Sequence, residues 1–429
     1  MVCLSNGALR IYRVNEDIHN RPPSSHRDEH ASSHDAKPVE LRREVEKFTR
    51  KPVQQLAVIK EANVLVSLSD GYVSFHDLQT FELSERLEIT KGATAFATIS
   101  NVVKDDSTDM MTIESHLAVA VKRKILLWSW QDMELTGAPS ESTLSAPIKS
   151  LAWMTRTKIV AGMDPGFVLI DLDSQESTDI YRPAAAGEAT GDQGVRFGAV
   201  NSSGMGYMGM GSWVPKPMMS KLANDQMLLA KDVNTLFINQ DGNHLDKRQV
   251  PWAAAPEAIG FSYPYILCLQ PRNNGTLEIR NPETMSLLQS ISLSGINYLH
   301  VPQPNISLAH AGKGFLVSSE RGIWRMNAVG YDSQTKDLTE KGYFDEAISL
   351  LELLEETLID DKAGRIRAIK VQKADHLFHQ QKYRDAMDLF TEAPAPPQHV
   401  ISLFPKVIAG DLSSIDEVDD AEQKGRLGE

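Results

Sequence analysis

The stretch VLVSLSDGYVSFHDL, residues 64–78, decides the fold. Apolar side chains recur at every second position: Val64, Val66 and Leu68, then Val73 and Phe75. Successive side chains of a strand point to opposite faces, so this spacing predicts two strands, each with one buried face. Asp70-Gly71 between them supplies the positive φ that a tight hairpin turn requires. The same unit recurs as VCLSNGALRIYRV from Val2, LAVAVKRKILLWSW from Leu117, KIVAGMDPGFVLIDL from Lys158, MLLAKDVNTLFI from Met227, YILCLQPRNNGTLEIRN from Tyr265 and GFLVSSERGIWRM from Gly314. Seven hairpins over roughly 320 residues give a mean period of about 45, the length of a four-stranded propeller blade. Two segments interrupt the spacing. Asn15–Lys37 is rich in His, Ser, Pro and charge, and Arg182–Lys221 is rich in Gly, Ala, Met and Pro. Both read as loop insertions without strand or helix periodicity. A lone hairpin cannot bury its apolar face, whereas blades stacked radially can. The expected fold is therefore mainly β, a seven-bladed β-propeller. A two-sheet sandwich needs far fewer strands than seven hairpins supply.

The period changes after Asn327. Phe344–Glu356 places Phe344, Ile348, Leu351 and Leu354 at helical spacing, and Lys362–Gln381 and Tyr383–Thr391 continue the pattern. KGYFDEAISLL from Lys341 repeats as QQKYRDAMDLF from Gln380, with Ala347 and Ala386 as the small residues that let helices approach closely. Residues 1–327 thus read as the propeller, with insertions near 15–37 and 182–221. Residues 328–429 read as the start of an α-solenoid of helical hairpins with a polar, acidic tail.

Charge and composition exclude several classes of function. Lys plus Arg number 44 against 57 Asp plus Glu, a net charge of −13, which argues against nucleic acid as the main partner. Cys3 and Cys268 cannot build a disulfide framework or a four-thiolate zinc site. No apolar run approaches the roughly 18 residues of a membrane span, and no signal-peptide pattern opens the chain. The expectation is a cytoplasmic protein that uses no cofactor and reaches a membrane only peripherally.

The candidate motifs fail on context. Gly204–Gly209 spells G-x-G-x-x-G but runs into Trp213-Val214-Pro215, which cannot open a helix. His26–His30 matches H-x-x-E-H, yet it sits beside Arg21-Pro22-Pro23 with no helix to present the imidazoles. Ala311-Gly312-Lys313-Gly314 lacks both the first glycine and the hydroxyl residue of a phosphate loop. Lys122-Arg123-Lys124 sits at a hairpin tip, where such charges are usually solvated. Trp128, Trp130, Trp153 and Trp324 lie in strand patterns and read as core. No catalytic or metal-ligating set emerges. Met205, Tyr207, Met208, Met210 and Trp213 form either a plain loop or an exposed apolar patch that docks a partner.

Longer strings add a resemblance. Lys51–Leu83, Lys91–Ala97, Leu117–Trp130, Met227–Ile238 and Pro256–Leu269 resemble the citron homology domain. With EKGYFDEAISLL from Glu340 they are similar, over Lys51–Gly410, to the vacuolar protein sorting-associated protein 39 family of HOPS tethering-complex subunits. The transforming-growth-factor receptor-associated tethers share the same motif order. The resemblance implies a non-enzymatic scaffold at the vacuole, lysosome or late endosome. Its implied partners are a Rab-type small GTPase, other tethering-complex subunits and a mitochondrial contact partner. A guanine-nucleotide exchange factor is the alternative, as is membership of the related early-endosomal complex. A propeller hydrolase would need acids or histidines converging on the central channel. The family's opening strands are missing from the first blade here, so closure of the ring is an open expectation.

Overall fold

The computed structural model describes residues 1–14, 39–104, 110–181, 216–245, 249–270, 275–302 and 314–414. Their strands form seven separate antiparallel sheets. Sheet 1 holds β1 (Val2–Cys3), β2 (Leu9–Val14) and β3 (Val39–Val45). Sheet 2 holds β4 (Val53–Ile59), β5 (Val64–Ser69), β6 (Tyr72–Asp77) and β7 (Leu83–Leu87). Sheet 3 holds β8 (Ala93–Lys104), β9 (Met111–Val121) and β10 (Lys124–Gln131), with β11 (Glu134–Leu135) and β12 (Ser140–Thr143) both paired to β10. Sheet 4 holds β13 (Ile148–Trp153), β14 (Lys158–Met163), β15 (Gly166–Asp171) and β16 (Ser177–Tyr181). Sheet 5 holds β17 (Met218–Lys221), β18 (Met227–Lys231), β19 (Asn234–Ile238) and β20 (His244–Leu245). Sheet 6 holds β21 (Ala258–Ser262), β22 (Tyr265–Gln270), β23 (Thr276–Arg280) and β24 (Leu287–Ser292). Sheet 7 holds β25 (Ile296–His300), β26 (Phe315–Ser319) and β27 (Ile323–Met326).

From β4 to β25, the first strands of neighbouring sheets lie against one another around a common axis, which makes this a seven-bladed β-propeller. All seven hairpins expected from the alternating pattern are present. Asp70 and Lys122 take φ of 55° and 56° at their turns. Packing then follows from the pleat. Leu117, Val119 and Val121 of β9 face sheet 2, where they meet Val66, Leu68 and Phe75. Ala118 and Ala120 face sheet 4 and meet Ile159 and Ala161. An apolar cluster of this kind joins each successive pair of sheets from 1 to 7. Trp128, Trp130 and Trp153 are buried in two of these clusters, as expected, and Trp324 is half-buried.

The join between sheets 7 and 1 differs. Burial shifts the Tyr298 phenol of sheet 7 upward and the His300 imidazole downward, with smaller contributions in the same directions from Cys3 and the N-terminal ammonium of the sheet 1 end. Sheet 1 has no strand inside β1, however, and among the described residues no apolar cluster joins it to sheet 7. Tyr298 consequently stays 54% exposed.

Among the described residues six α-helices follow: α1 (Tyr331–Glu340), α2 (Phe344–Leu353), α3 (Lys362–His379), α4 (Tyr383–Glu392), α5 (Pro397–Ser402) and α6 (Lys406–Ala409). Ala347 and Ala386 are fully buried at the helix contacts, as the repeat requires. α1 to α3 share one core with sheets 5 and 6, through Leu350, Leu351 and Leu354 against Leu222, Phe261 and Tyr263. Polar contacts lock this junction. Tyr263 Oη donates to Leu353 O (2.7 Å) and accepts from Glu355 N–H (3.1 Å), and Asn281 Nδ2 donates to Ser349 Oγ (3.0 Å). Tyr263 and Asn281 sit in the connections between first and second, and third and fourth, strands of sheet 6. The helices therefore cover one defined face of the ring.

One expectation needs correction. The insertion near 182–221 does not run to Lys221, because Met218–Lys221 is the inner strand of sheet 5, in register with Met227–Ala230. Its sequence shows no alternation. It is extended because it must fit between the inner strands β13 and β21, and Ser150 Oγ donates to Pro217 O (2.8 Å) at its entrance. α1 is an additional helix whose polar sequence carries little pattern, and it is held by Tyr331 and Leu338 against the shared core.

Candidate protein-docking site

Sheet 3 is built unlike its neighbours. β8 has 12 residues and β9 has 11. The other inner strands have between 4 residues, in β17, and 7, in β4. Near 3.4 Å per residue, the excess projects the β8–β9 hairpin about 17 Å beyond the ring. The direction of β8 puts this fin on the face that carries the helices, across from sheets 5 and 6.

Hydrogen bonds tie together the described strands of the fin. Pairing runs to Lys104 opposite Met111. Ser100 Oγ and Ser115 Oγ are 2.8 Å apart, and Asp132 both donates its N–H to Ile113 O (2.7 Å) and accepts the Ile113 N–H through its carboxylate (2.9 Å). The side of β9 that buries Leu117 and Val119 at the root continues outward to Ile113 and Met111, where among the described residues no neighbouring blade covers it. Val102 and Leu135 lie on that same side, opposite Ile113 and Trp130 respectively. Met110, Met111 and Met133 are each two-thirds exposed or more, and Val102 and Leu135 nearly half. Trp130 sits buried at the root, edge-on to Phe75 at 5.6 Å. On the side facing sheet 2, apolar side chains thus recur from the core toward the tip, interrupted by the paired Ser100 and Ser115.

The opposite side of the fin is polar. Between sheets 3 and 4 lies a cavity of about 290 Å³, lined by Glu114, His116, Ser129, Glu141, Trp153, Arg156 and Asp173 among others. Arg156 Nη1 donates to Glu114 Oε2 (3.0 Å), and His116 Nδ1 lies 2.8 Å from Ser129 Oγ. Trp153 Nε1 donates to Ala97 O (3.0 Å) and its ring lies 5.6 Å from that of His116. Burial holds the His116 imidazole below its ordinary value, against the opposite pull of Glu114.

The match to known families follows this architecture. The model of the CNH domain, the citron homology domain, matches residues 30–301, well over half of the chain, with sheets 2 to 6 complete and one strand each of sheets 1 and 7. The chain belongs to the CNH domain family. Beyond the CNH match, the chain is 26% identical over 416 residues to the human Vam6/Vps39-like protein, covering 96% of this chain and 41% of that one. It is 22% identical over 366 residues to vacuolar morphogenesis protein 6 of Schizosaccharomyces pombe, covering 85% of this chain and 36% of that one. The chain therefore spans about two-fifths of the length of these relatives, and both matches extend past the CNH domain into the helices. A solved AfRom2 CNH domain superposes with a TM-score of 0.43 at 19% identity, over 68% of this chain and 88% of that one.

The docking residues expected from sequence, Met205, Tyr207, Met208, Met210 and Trp213, lie outside the described residues. So do the histidine-rich stretch and the G-x-G-x-x-G string. Gly314, of the failed phosphate-loop string, serves the backbone instead, since its φ is 92° and a Cβ there would collide with Met326 O. Among the described residues, no group of three or more His, Cys, Asp or Glu side chains is placed to hold a metal ion, and no helix is long and apolar enough to cross a membrane. The fin residues escaped notice in the sequence because Met111 and Val102 continue the alternation of buried strands. The only signal was strand length, a run from Ala93 to Val121 too long for one blade width.

Proposed function

We propose that this chain is the propeller-bearing part of a non-enzymatic tethering scaffold of the HOPS type, acting peripherally at the vacuole or late endosome. In this reading the helix-bearing face docks a Rab-type small GTPase, and the helices lead toward other subunits of the complex. The observation that carries the docking step is the group of exposed apolar side chains on the fin: Val102, Met111, Met133 and Leu135. Contiguous exposed apolar side chains rimmed by polar ones mark interaction surfaces, and methionines adapt to a partner's relief. The similarity to Vam6/Vps39-like proteins supports the vacuolar context. A tether of this kind works by raising effective concentration and needs no bond-making step.

The test is capture of purified late-endosomal GTPase, loaded with GTP analogue or GDP, on the immobilised chain. Retention that depends on nucleotide and falls at least about tenfold in a Met111→Asp, Met133→Asp variant of unchanged melting temperature is expected. No retention in either state by the folded chain would overturn the docking step. Release of labelled GDP accelerated by substoichiometric chain would turn the reading toward an exchange factor. The Met205–Trp213 segment remains a second docking candidate; there, Trp213→Ala weakens capture without lowering the melting temperature.

A further inference from the structure

The cavity on the sheet 4 side of the fin has no part in the reading above. Its lining combines the apolar side chains of Leu127, Trp153 and Leu172 with the carboxylates of Glu114, Glu141 and Asp173. Two of these are already engaged: Glu114 with Arg156 at 3.0 Å and Glu141 with Lys124 at 2.6 Å. Asp173 lies exposed on the turn between β15 and β16, and among the described residues no cation meets its carboxylate. Its backbone N–H is bonded to Asp171 Oδ1 (2.9 Å), so the turn is held independently of the Asp173 side chain. The lining residues carry three acids against one Arg, and burial shifts the His116 imidazole downward against the opposite pull of Glu114.

We propose that this cavity is a receptor for a basic side chain, an arginine or lysine projecting from an exposed segment of a partner protein. A lining that mixes apolar side chains with carboxylates suits the amphipathic shape of these residues, whose aliphatic stem packs on carbon while the head meets carboxylate. Charge complementarity selects the sign: the lining is net negative, as is the whole chain at −13. Hydroxyls of Ser129, Ser140 and Ser142 supply further acceptors for a guanidinium, which carries five N–H donors. The cavity opens on the helix-bearing face beside the fin, so a partner seated on the exposed apolar side chains of the fin can reach around the hairpin and place a basic residue here. The inference extends the docking reading but is tested without a GTPase.

The probe is a short acetylated peptide with one arginine between two leucines, titrated into the full chain. Its twin carries citrulline, which keeps the shape and loses the charge. The readout is the Trp153 indole N–H resonance, assigned with Trp153→Phe. Saturable shifting of that resonance by the arginine peptide, about tenfold weaker binding of the citrulline twin, and a similar loss in Asp173→Lys are expected. Asp173→Asn, with an intact turn, should fall between. Equal affinity for the two peptides, an unmoved Trp153 resonance, or full binding by Asp173→Lys at unchanged melting temperature would overturn the proposal. Failure here with GTPase capture intact removes the basic anchor alone; the reverse removes the GTPase and leaves the cavity.

Discussion

The helix-bearing face has two halves made from the same kind of hairpin and used in opposite ways. Over sheets 5 and 6 the connections are covered: Tyr263, Asn281 and Phe261 meet α2 and its neighbours, and the apolar surface there becomes one core. Over sheets 3 and 4 nothing among the described residues lies on top, and the hairpin instead grows outward with its apolar side bare. Identical alternation, Leu117 and Val119 at the root and Met111 at the tip, is buried or exposed according to whether a neighbour stands beside it. The difference teaches that strand patterning reports which side chains share a face, while the next element decides whether that face is core or docking surface.

The contrast can be broken most forcefully in the covered half. Leu351 is fully buried between α2 and the ring. Leu351→Ala should cost about 3–4 kcal/mol of stability, by lost transfer energy and a cavity, as read by denaturant unfolding. A cost near zero would show that the helices are not part of the ring's core.

Acid and base should separate the halves. His76, beside Phe48 at 4.1 Å in the join between sheets 1 and 2, has an unpartnered Nδ1, and burial pulls it down to about 4. Its folded value lies below the unfolded one, so the unfolded chain binds more protons between the two. The stability tied to His76 is therefore present above about pH 6.5 and falls by roughly 3 kcal/mol as the pH drops to about 4. His76→Gln should flatten that acid limb. In the covered half, burial raises the Tyr265 phenol and the Cys268 thiol instead. Both stay neutral in the fold, and the stability tied to them is lost only as the pH rises past their ordinary values. A melting profile that lacks the acid limb would remove His76 from this account.

Finer tests sharpen the same comparison. Tyr263→Phe removes one donor and one acceptor at the junction, and should cost about 1–2 kcal/mol while leaving GTPase capture intact. Met111→Ser, at the exposed tip, should change stability by less than about 0.5 kcal/mol and affect only partner binding. A large loss of stability from Met111→Ser would mean that the tip is covered by something and is core after all.

Much of this was legible before any coordinates. Period-two runs placed all seven hairpins, three of them marked also by Asn-Gly or Asp-Gly at the turn, since both signals depend on residues adjacent in the chain. The repeated aromatic and alanine positions likewise marked α2 and α4. β17 and α1 were not legible: Met218–Lys221 is extended because two flanking inner strands leave no other shape, and α1 exists because Tyr331 and Leu338 have an apolar surface to meet. The cavity beside the fin draws on Glu114, Ser140, Trp153 and Asp173, which span 60 positions and share no motif. The chain by itself determined strands, turns, helical repeats and the sign of its charge, because these follow from local sterics and spacing. Only the tertiary structure decided which apolar faces stay bare, which carboxylate goes unmatched and where the helices settle, because each depends on what lies across a gap that the sequence does not measure.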